Sequence, residues 1–540
     1  MSARRNSLLR STSGAVAPTV ALSLFGLIAA GGIAFDYARM ASLDSELQTA
    51  ADQAALAAAT QLDGKGNACS RAASAASGLI RNDTRFANDS AGLAVTIANE
   101  GTCDRTGFIK FYTNKDRSDT GTLTDANANF VEVTVNSRTA FFALTPIVSV
   151  FSSGALSATA YAGVGQAICK VPPVMICNPQ ETGGNTSFDV SQFIGKGLKL
   201  VSVGNGGGAW VPGNFGYLDT GGGSNGAPGL REALGWTSPP GDCVEATGVD
   251  TKPGATVSVT DAVNTRFDIY DSNVACPTGG SCPASINSIK DVVRPANANG
   301  NNACGFHNQG WQEVGAAGQY LPSSATTALP TTTTPLAMGH PRDMCHAALS
   351  SATGYCSGPI GDGNWDRDAY FRTNYNWSST DWRTNTGLST SVAVTAANYA
   401  SRYNVYTWEI AHRGQSIGGA TILGPRTASG NGASALTAYG APVCSSAQGY
   451  GTGSVPGGTV VDRRRISVAV VNCTANNVRG NSTGVPVEEW MDAFLVEPSY
   501  NRARTSAGDV YVEPIAETSA GANGQTQAQV IQRSVPYLIE

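Results

Sequence analysis

The sequence predicts an α+β protein: a long N-terminal transmembrane helix that continues into a helix-plus-antiparallel-sheet module, then a large β-rich domain. Three observations carry this. A run of about 25 uncharged residues (11–35, STSGAVAPTVALSLFGLIAAGGIAF) leads without a break into an apolar stripe at helical spacing. Short β-rich segments follow, and 129–135 (NFVEVTV) alternates with period two. From residue 169 onward, Gly-rich (204–229) and Thr/Pro-rich (321–335) stretches alternate with short apolar strands. The 540 residues therefore divide into a cytoplasmic leader (1–13), a transmembrane helix (14–35), an α+β module (36–168) and an exported β-rich domain (169–540).

Arg4, Arg5 and Arg10 precede the span, whereas Asp36, Asp44, Glu46 and Asp52 follow it with Arg39 the nearby base. By the positive-inside rule the N-terminus stays cytoplasmic and the rest of the chain is exported to the periplasmic side of the inner membrane, in a single pass. A cleaved signal peptide is the alternative, with Ala29-Ala30-Gly31 as a cleavage site. Its apolar region would be shorter and would not pass into a helical pattern, so an uncut anchor is expected. Gly26, Ala30 and Ala34 repeat every four residues and form a small-residue face on which another membrane helix can pack closely. The simpler reading is the ordinary abundance of Ala and Gly in membrane helices. Beyond the span, Leu43, Leu47, Ala50, Ala54 and Ala57 recur at three- and four-residue steps, and Gly64 is a natural C-cap. A helix over 15–62 is roughly 70 Å long, and its outer half has an apolar seam to bury.

Composition excludes several classes. The 35 Lys+Arg against 40 Asp+Glu leave a net charge of −5, without the concentrated positive field that nucleic acid demands. The 63 Gly and 25 Pro make the chain loop-rich without collagen or low-complexity character, and coiled-coil and polytopic membrane proteins are excluded as well.

The segment 36–64 (DYARMASLDSELQTAADQAALAAATQLDG), behind an Ala/Gly-rich span and a short Arg-bearing leader, resembles the N-terminal module of TadG-like proteins. These belong to the TadE/TadG group of the tight-adherence (Flp, type IVc) pilus-assembly machinery. Asp36 and Arg39 in an Asp-x-x-Arg, and the run LQTAADQAALAAA, carry the match. At the far end, DRRRISVAVVNC (462–473) and FLVEP (494–498) resemble the C-terminal part of some exported members. The resemblance implies a pilin-like module after the span. The sequence departs from relatives processed by prepilin peptidase, because Thr19 stands where their Glu would be, so no such cleavage is expected. It also departs from members with a von Willebrand A domain: the nearest string to the DxSxS metal motif, Asp189 to Phe193, lacks the second Ser.

In the α+β module, 72–80 reads as a short helix, 141–151 as another, and 93–98, 107–112, 129–135 and 156–167 as strands. In the β-rich domain, strands are expected at GLKLVSV, TRFDIY, RRISVAVV and DVYVEPI, and helices over 394–412 and 486–495.

All 12 cysteines lie beyond the span, which in an oxidising compartment points to disulfides. Cys69 with Cys103, Cys169 with Cys177, Cys276 with Cys282 and Cys345 with Cys356 are candidate partners by proximity. A zinc set of His340, Cys345, His346 and Cys356 fits no standard spacing. Asp362, Asn364, Asp366 and Asp368 alternate oxygens as a calcium loop would, but the EF-hand positions for Gly and Glu hold Arg367 and Thr373. A capped polar turn is the preferred reading, and no cofactor is expected. GQSIG (414–418) matches the hydrolase elbow string, yet a helical segment precedes it where a strand is required. Glu488 and Glu489 read as a solvated helix face. Trp365, Tyr370, Tyr375, Trp377 and Trp382 read as core aromatics, with a binding surface as the alternative. The sequence thus points to a non-enzymatic, anchored pilus-assembly component whose partners are other pilus-assembly or pilin-like membrane proteins. The alternative is an anchored adhesin-like protein recognising a glycan or a protein.

Overall fold

The computed structural model describes residues 16–63, 66–78, 82–118, 121–125, 127–144, 151–169, 174–201, 210–212, 214–219, 226–238, 243–245, 248–254, 257–272, 274–389, 400–428, 435–457, 460–501, 509–518 and 531–539. Contacts divide the chain into two units, residues 1–166 with 534–540, and residues 167–533.

The first unit is organised by one 44-residue helix, Val16–Ala59. Its first half is apolar and uncovered: Leu22, Leu24, Leu27 and Ile28 are all exposed. The helix is long and apolar enough to cross a membrane. Its second half buries Leu43, Leu47, Ala50, Ala54 and Ala58 against a second helix, Ala68–Gly78, and the sheet. The buried seam ends on Ala58 and Ala59, and Ala57 is half-buried, because a stripe of alternating four- and three-residue steps averages about 3.5 residues and drifts around a helix of 3.6 residues per turn. Strands Ile109–Tyr112, Phe130–Thr134, Thr159–Cys169 and Ile531–Leu538 lie in that order in the sheet. Val131 and Val133 point into the core while Phe130, Glu132 and Thr134 are half-buried, the period-two pattern of the sequence. The seam packs small on large: alanines of the helix lie against Ile109, Phe111, Val131 and Val133. The expected strand over 93–98 is reduced to Ala94–Val95. Of the expected helix over 141–151, residues 141–144 are not helical, since Phe141 bridges Ser152 in a hairpin, and 145–150 lie outside the described residues, as does Gly64.

The second unit is built on a five-stranded sheet ordered Met175–Cys177, Arg465–Val471, Val487–Leu495, Val510–Glu517 and Leu198–Val201. The first pair is parallel and the others antiparallel. Three of the four strands expected here form. The exception, TRFDIY, becomes a 3-10 turn over Thr265–Phe267 because Asp268 takes the left-handed conformation and accepts the backbone N–H groups of Val443, Cys444 and Ser445. The expected helix over 486–495 is also overturned: Val487–Leu495 is the central strand, paired on both edges and buried over Trp490–Leu495. Its Glu488 and Glu489 therefore sit at a strand end, not on a helix face. The helix expected over 394–412 spans Arg402–Ala411, and 394–399 lie outside the described residues. Smaller sheets and a cluster of helices complete the unit, where Trp365, Tyr370, Tyr375, Trp377 and Trp382 form a buried aromatic core.

Disulfides join Cys69 to Cys103, Cys177 to Cys473, Cys276 to Cys282, Cys304 to Cys444 and Cys345 to Cys356. The pairing of Cys169 with Cys177 is thus overturned: the parallel ladder sets Cys177 beside Val471, two residues from Cys473, and their bond closes a separation of 296 residues. Cys169 stands opposite Cys243 in backbone register.

Candidate functional site: the seat of the N-terminal helix

The uncharged span and the globular head of the first unit meet at one turn of helix. There Asp36, the first charged residue after the span, is buried, and its two oxygens accept the backbone N–H groups of Ala143 (3.1 Å) and Leu144 (2.9 Å). One turn earlier Gly32 is also buried. A Cβ at that position would come within 2.8 Å of Leu144 Cβ, so glycine is what lets the hairpin approach the helix this closely. Arg39 donates from Nε to the carbonyl of Phe86 (3.0 Å) and from Nη1 to that of Phe141 (3.4 Å), joining two loops to the helix. Two turns further along, Glu46 accepts from Thr84 Oγ1 (2.6 Å) and from the N–H groups of Arg85 (3.1 Å) and Phe86 (3.3 Å). Asn88 completes the seat by bonding both the N–H and the carbonyl of Phe141. Most of these hydrogen bonds run from a charged or amide side chain to loop backbone groups, which fixes the loops on the helix.

Residues 14–61 match the model of the Flp pilus-assembly TadE/G-like family. Over its N-terminal segment the chain is TadE/G-like. No curated protein and no solved structure matches it. The TadE/G-like segment coincides with the long helix, and the Asp36 and Arg39 of its Asp-x-x-Arg are the residues that hold the head. Gly26, Ala30 and Ala34 lie on the uncovered half of that helix, all exposed.

The other residues singled out by sequence fall elsewhere. Asp362, Asn364, Asp366 and Asp368 do not aim at a common point. Asp366 caps a helix through Ala369 N and also accepts Leu329 N, Asp368 accepts Trp382 Nε1, and Asp362 accepts from Asn364. Among the described residues, the His, Cys, Asp and Glu groups tight enough to hold a metal are Cys345, His346, Cys356 and Cys69, Cys103, Asp125, and in each the two sulfurs are joined as a disulfide. Ser416 of GQSIG is exposed in a two-residue strand that turns back through Gly418 and Gly419 onto Ala420–Thr421, a hairpin and not a strand-to-helix elbow. Asp189 accepts Ser191 N and Oγ as an N-cap.

Sequence reasoning missed the polar core of the second unit. The Arg run of DRRR is buried whole. Arg463 donates to the carbonyls of Pro283 and Gly235, Arg464 to those of Leu495 and Val496, and Arg465 pairs with Asp492. Glu497 of FLVEP pairs with Arg342 (2.7 Å). Arg402 bonds Asp343 and Glu513 in a fully buried triad. Three consecutive arginines leading into an apolar strand were the available signal, because a solvated Arg cluster has no reason to join a buried strand.

Glu409 is fully buried and accepts from Asn287 Nδ2 (2.6 Å), Tyr370 OH (2.7 Å) and Tyr375 OH (2.8 Å), with His340 Nε2 3.7 Å away. Burial pushes its carboxyl up to about 7, outweighing those three donors and the neighbouring Arg464. The folded carboxyl then keeps a proton that the unfolded chain releases near 4.5. Stability from this site is accordingly full below pH 4.5 and declines as pH rises to about 7. Compared with Glu409→Gln, the wild type should lose on the order of 3 kcal/mol across that window. Melting temperature measured against pH reads this directly, and parallel profiles for the two proteins would contradict it.

Proposed function

We propose that the chain is a non-enzymatic, membrane-anchored, minor pilin-like or assembly component of a tight-adherence (Flp) pilus. Involvement in Flp pilus assembly is supported by the TadE/G-like match. The observation that carries the finer reading is the division of one helix into an uncovered apolar half and a half locked onto its own sheet, the form of a subunit that presents a membrane helix to others. In this reading the leader is cytoplasmic, the bulk of the chain is periplasmic, and neighbouring pilin-like helices pack on the face of Gly26, Ala30 and Ala34. Deleting residues 14–64 tests it: pili should be lost even when the exported part is supplied separately. Normal piliation under those conditions would defeat the proposal.

The reading involves no reactive centre and no cofactor. Ser416→Ala should leave piliation at the wild-type level, and a loss of pili with the protein still folded would restore the hydrolase reading. The melting temperature should be the same in calcium and in chelator, since a bound ion stabilises by mass action; a rise in calcium that is lost in Asp362→Ala would restore a calcium reading of the loop with Asp362, Asn364, Asp366 and Asp368.

One cleft favours the adhesin-like alternative. About 680 Å³ in volume, it is lined by Phe306, Trp311, Tyr500, Asp271 and Ser499, and the buried hydroxyl of Ser499 has no hydrogen-bond partner. Under that reading the soluble exported domain would retain glycan or protein binding after the anchor is removed.

A further inference from the structure

We propose that the head of the first unit rests on the lipid surface through an apolar collar, formed by Phe35 and Tyr37 of the helix with Phe141, Leu144 and Phe151 of the adjoining hairpin. The inference rests on the anchor reading above, and concerns what else besides the helix touches the membrane.

Depth carries the argument. The hairpin meets the helix at Gly32 and Asp36, where Leu144 Cβ abuts the first and the N–H groups of Ala143 and Leu144 bind the second. Gly32 lies inside the uncharged run that ends at Phe35, so the hairpin overlaps the span instead of standing clear of it. The overlap of four residues is about 6 Å along the helix axis, the depth at which apolar faces settle into the headgroup boundary.

The chemistry at that level agrees. Phe35 is 58% exposed, Tyr37 63%, Phe141 50%, Leu144 49% and Phe151 63%. Single exposed apolar residues are ordinary, but five gathered around the junction where the uncovered span ends form a belt of the kind that aromatic residues make at a membrane interface. The sequence between Arg138 and Lys170 contains no charged residue. At the junction Asp36 is buried with both oxygens bonded, and Arg39 is turned onto the carbonyls of Phe86 and Phe141. No bare charge of these residues opposes contact with lipid. Phe142 N bonds Phe151 O and Ser153 N bonds Ala140 O across the base of the hairpin, so these backbone groups are already paired. Continuity with the span selects lipid over a protein partner as the occupant.

The test is photolabelling of the full chain in vesicles of phosphatidylethanolamine and phosphatidylglycerol that carry a diazirine-bearing phospholipid, with adducts located by peptide mass spectrometry. Adducts are expected on the helix over 16–35 and on Phe141, Leu144 and Phe151. Leu349 and Val460, equally exposed apolar residues of the other unit, serve as the solvent-facing reference. A labelled helix with the hairpin labelled no more than Leu349 overturns the collar and leaves the anchor standing. An unlabelled helix removes the anchor and the collar together.

Discussion

Asp36→Ala should release the hairpin from the helix. The substitution removes the acceptor of the Ala143 and Leu144 N–H groups at a part-buried junction. Each such orphaned donor costs about 1–3 kcal/mol, and bonds to a charged acceptor are the stronger kind. The loss is local, because the buried seam from Leu43 to Ala59 still holds the second half of the helix on the sheet. The expected readout is therefore selective: faster proteolysis around 139–153 in reconstituted membranes, and reduced piliation, with the disulfide between Cys69 and Cys103 still formed. Asp36→Asn, which keeps one carbonyl acceptor, should fall between the two. Wild-type protease resistance in Asp36→Ala would mean the carboxylate does not hold the head.

Arg402→Met should be more damaging to the second unit. Arg402 is fully buried, bonds Asp343 and Glu513 from different nitrogens of one fork, and donates from Nε to the carbonyl of Pro341 (2.6 Å). Asp343 in turn accepts the N–H groups of Gly197 (2.9 Å) and Gly363 (2.8 Å), so the triad ties the stretches around residues 197, 343, 363, 402 and 513 together. Methionine fills much of the volume but leaves two carboxylates buried without their cation. Breaking a buried pair in this way costs about 3–5 kcal/mol, far more than the intact pair contributes over an apolar replacement. The denaturant midpoint of the full chain reads the effect. Arg402→Lys restores charge without the planar fork and should recover only part of it. A midpoint unchanged in Arg402→Met would show that the triad is not closed as described.

Those two sites differ in how far the amino-acid sequence discloses them. The helix was readable because a charge-free run and a 3.6-residue stripe are one-dimensional patterns that survive without tertiary knowledge. Asp36 and Arg39 were visible as a motif, but their role was not, since the groups they bind are backbone atoms more than 40 residues away. The central strand Val487–Leu495 read as a helix because Trp490, Met491, Phe494 and Leu495 suit either period, and a strand buried on both faces loses the alternation that would identify it. TRFDIY has strand composition, yet Asp268 exchanges the ladder for three N–H bonds to residues 443–445, a long-range bargain invisible to propensity. Cys177 and Cys473 are brought together by a parallel ladder between distant strands, a pairing that local spacing never signals. The buried arginines follow the same logic: what neutralises or satisfies each lies on another strand or loop.

The anchor is the foundation of the functional account, and the intact mass of the chain recovered from carbonate-washed membranes addresses it most directly. A polypeptide that retains residues 16–35 and stays with the membrane pellet is the predicted result. A soluble species beginning after Phe35 would contradict it.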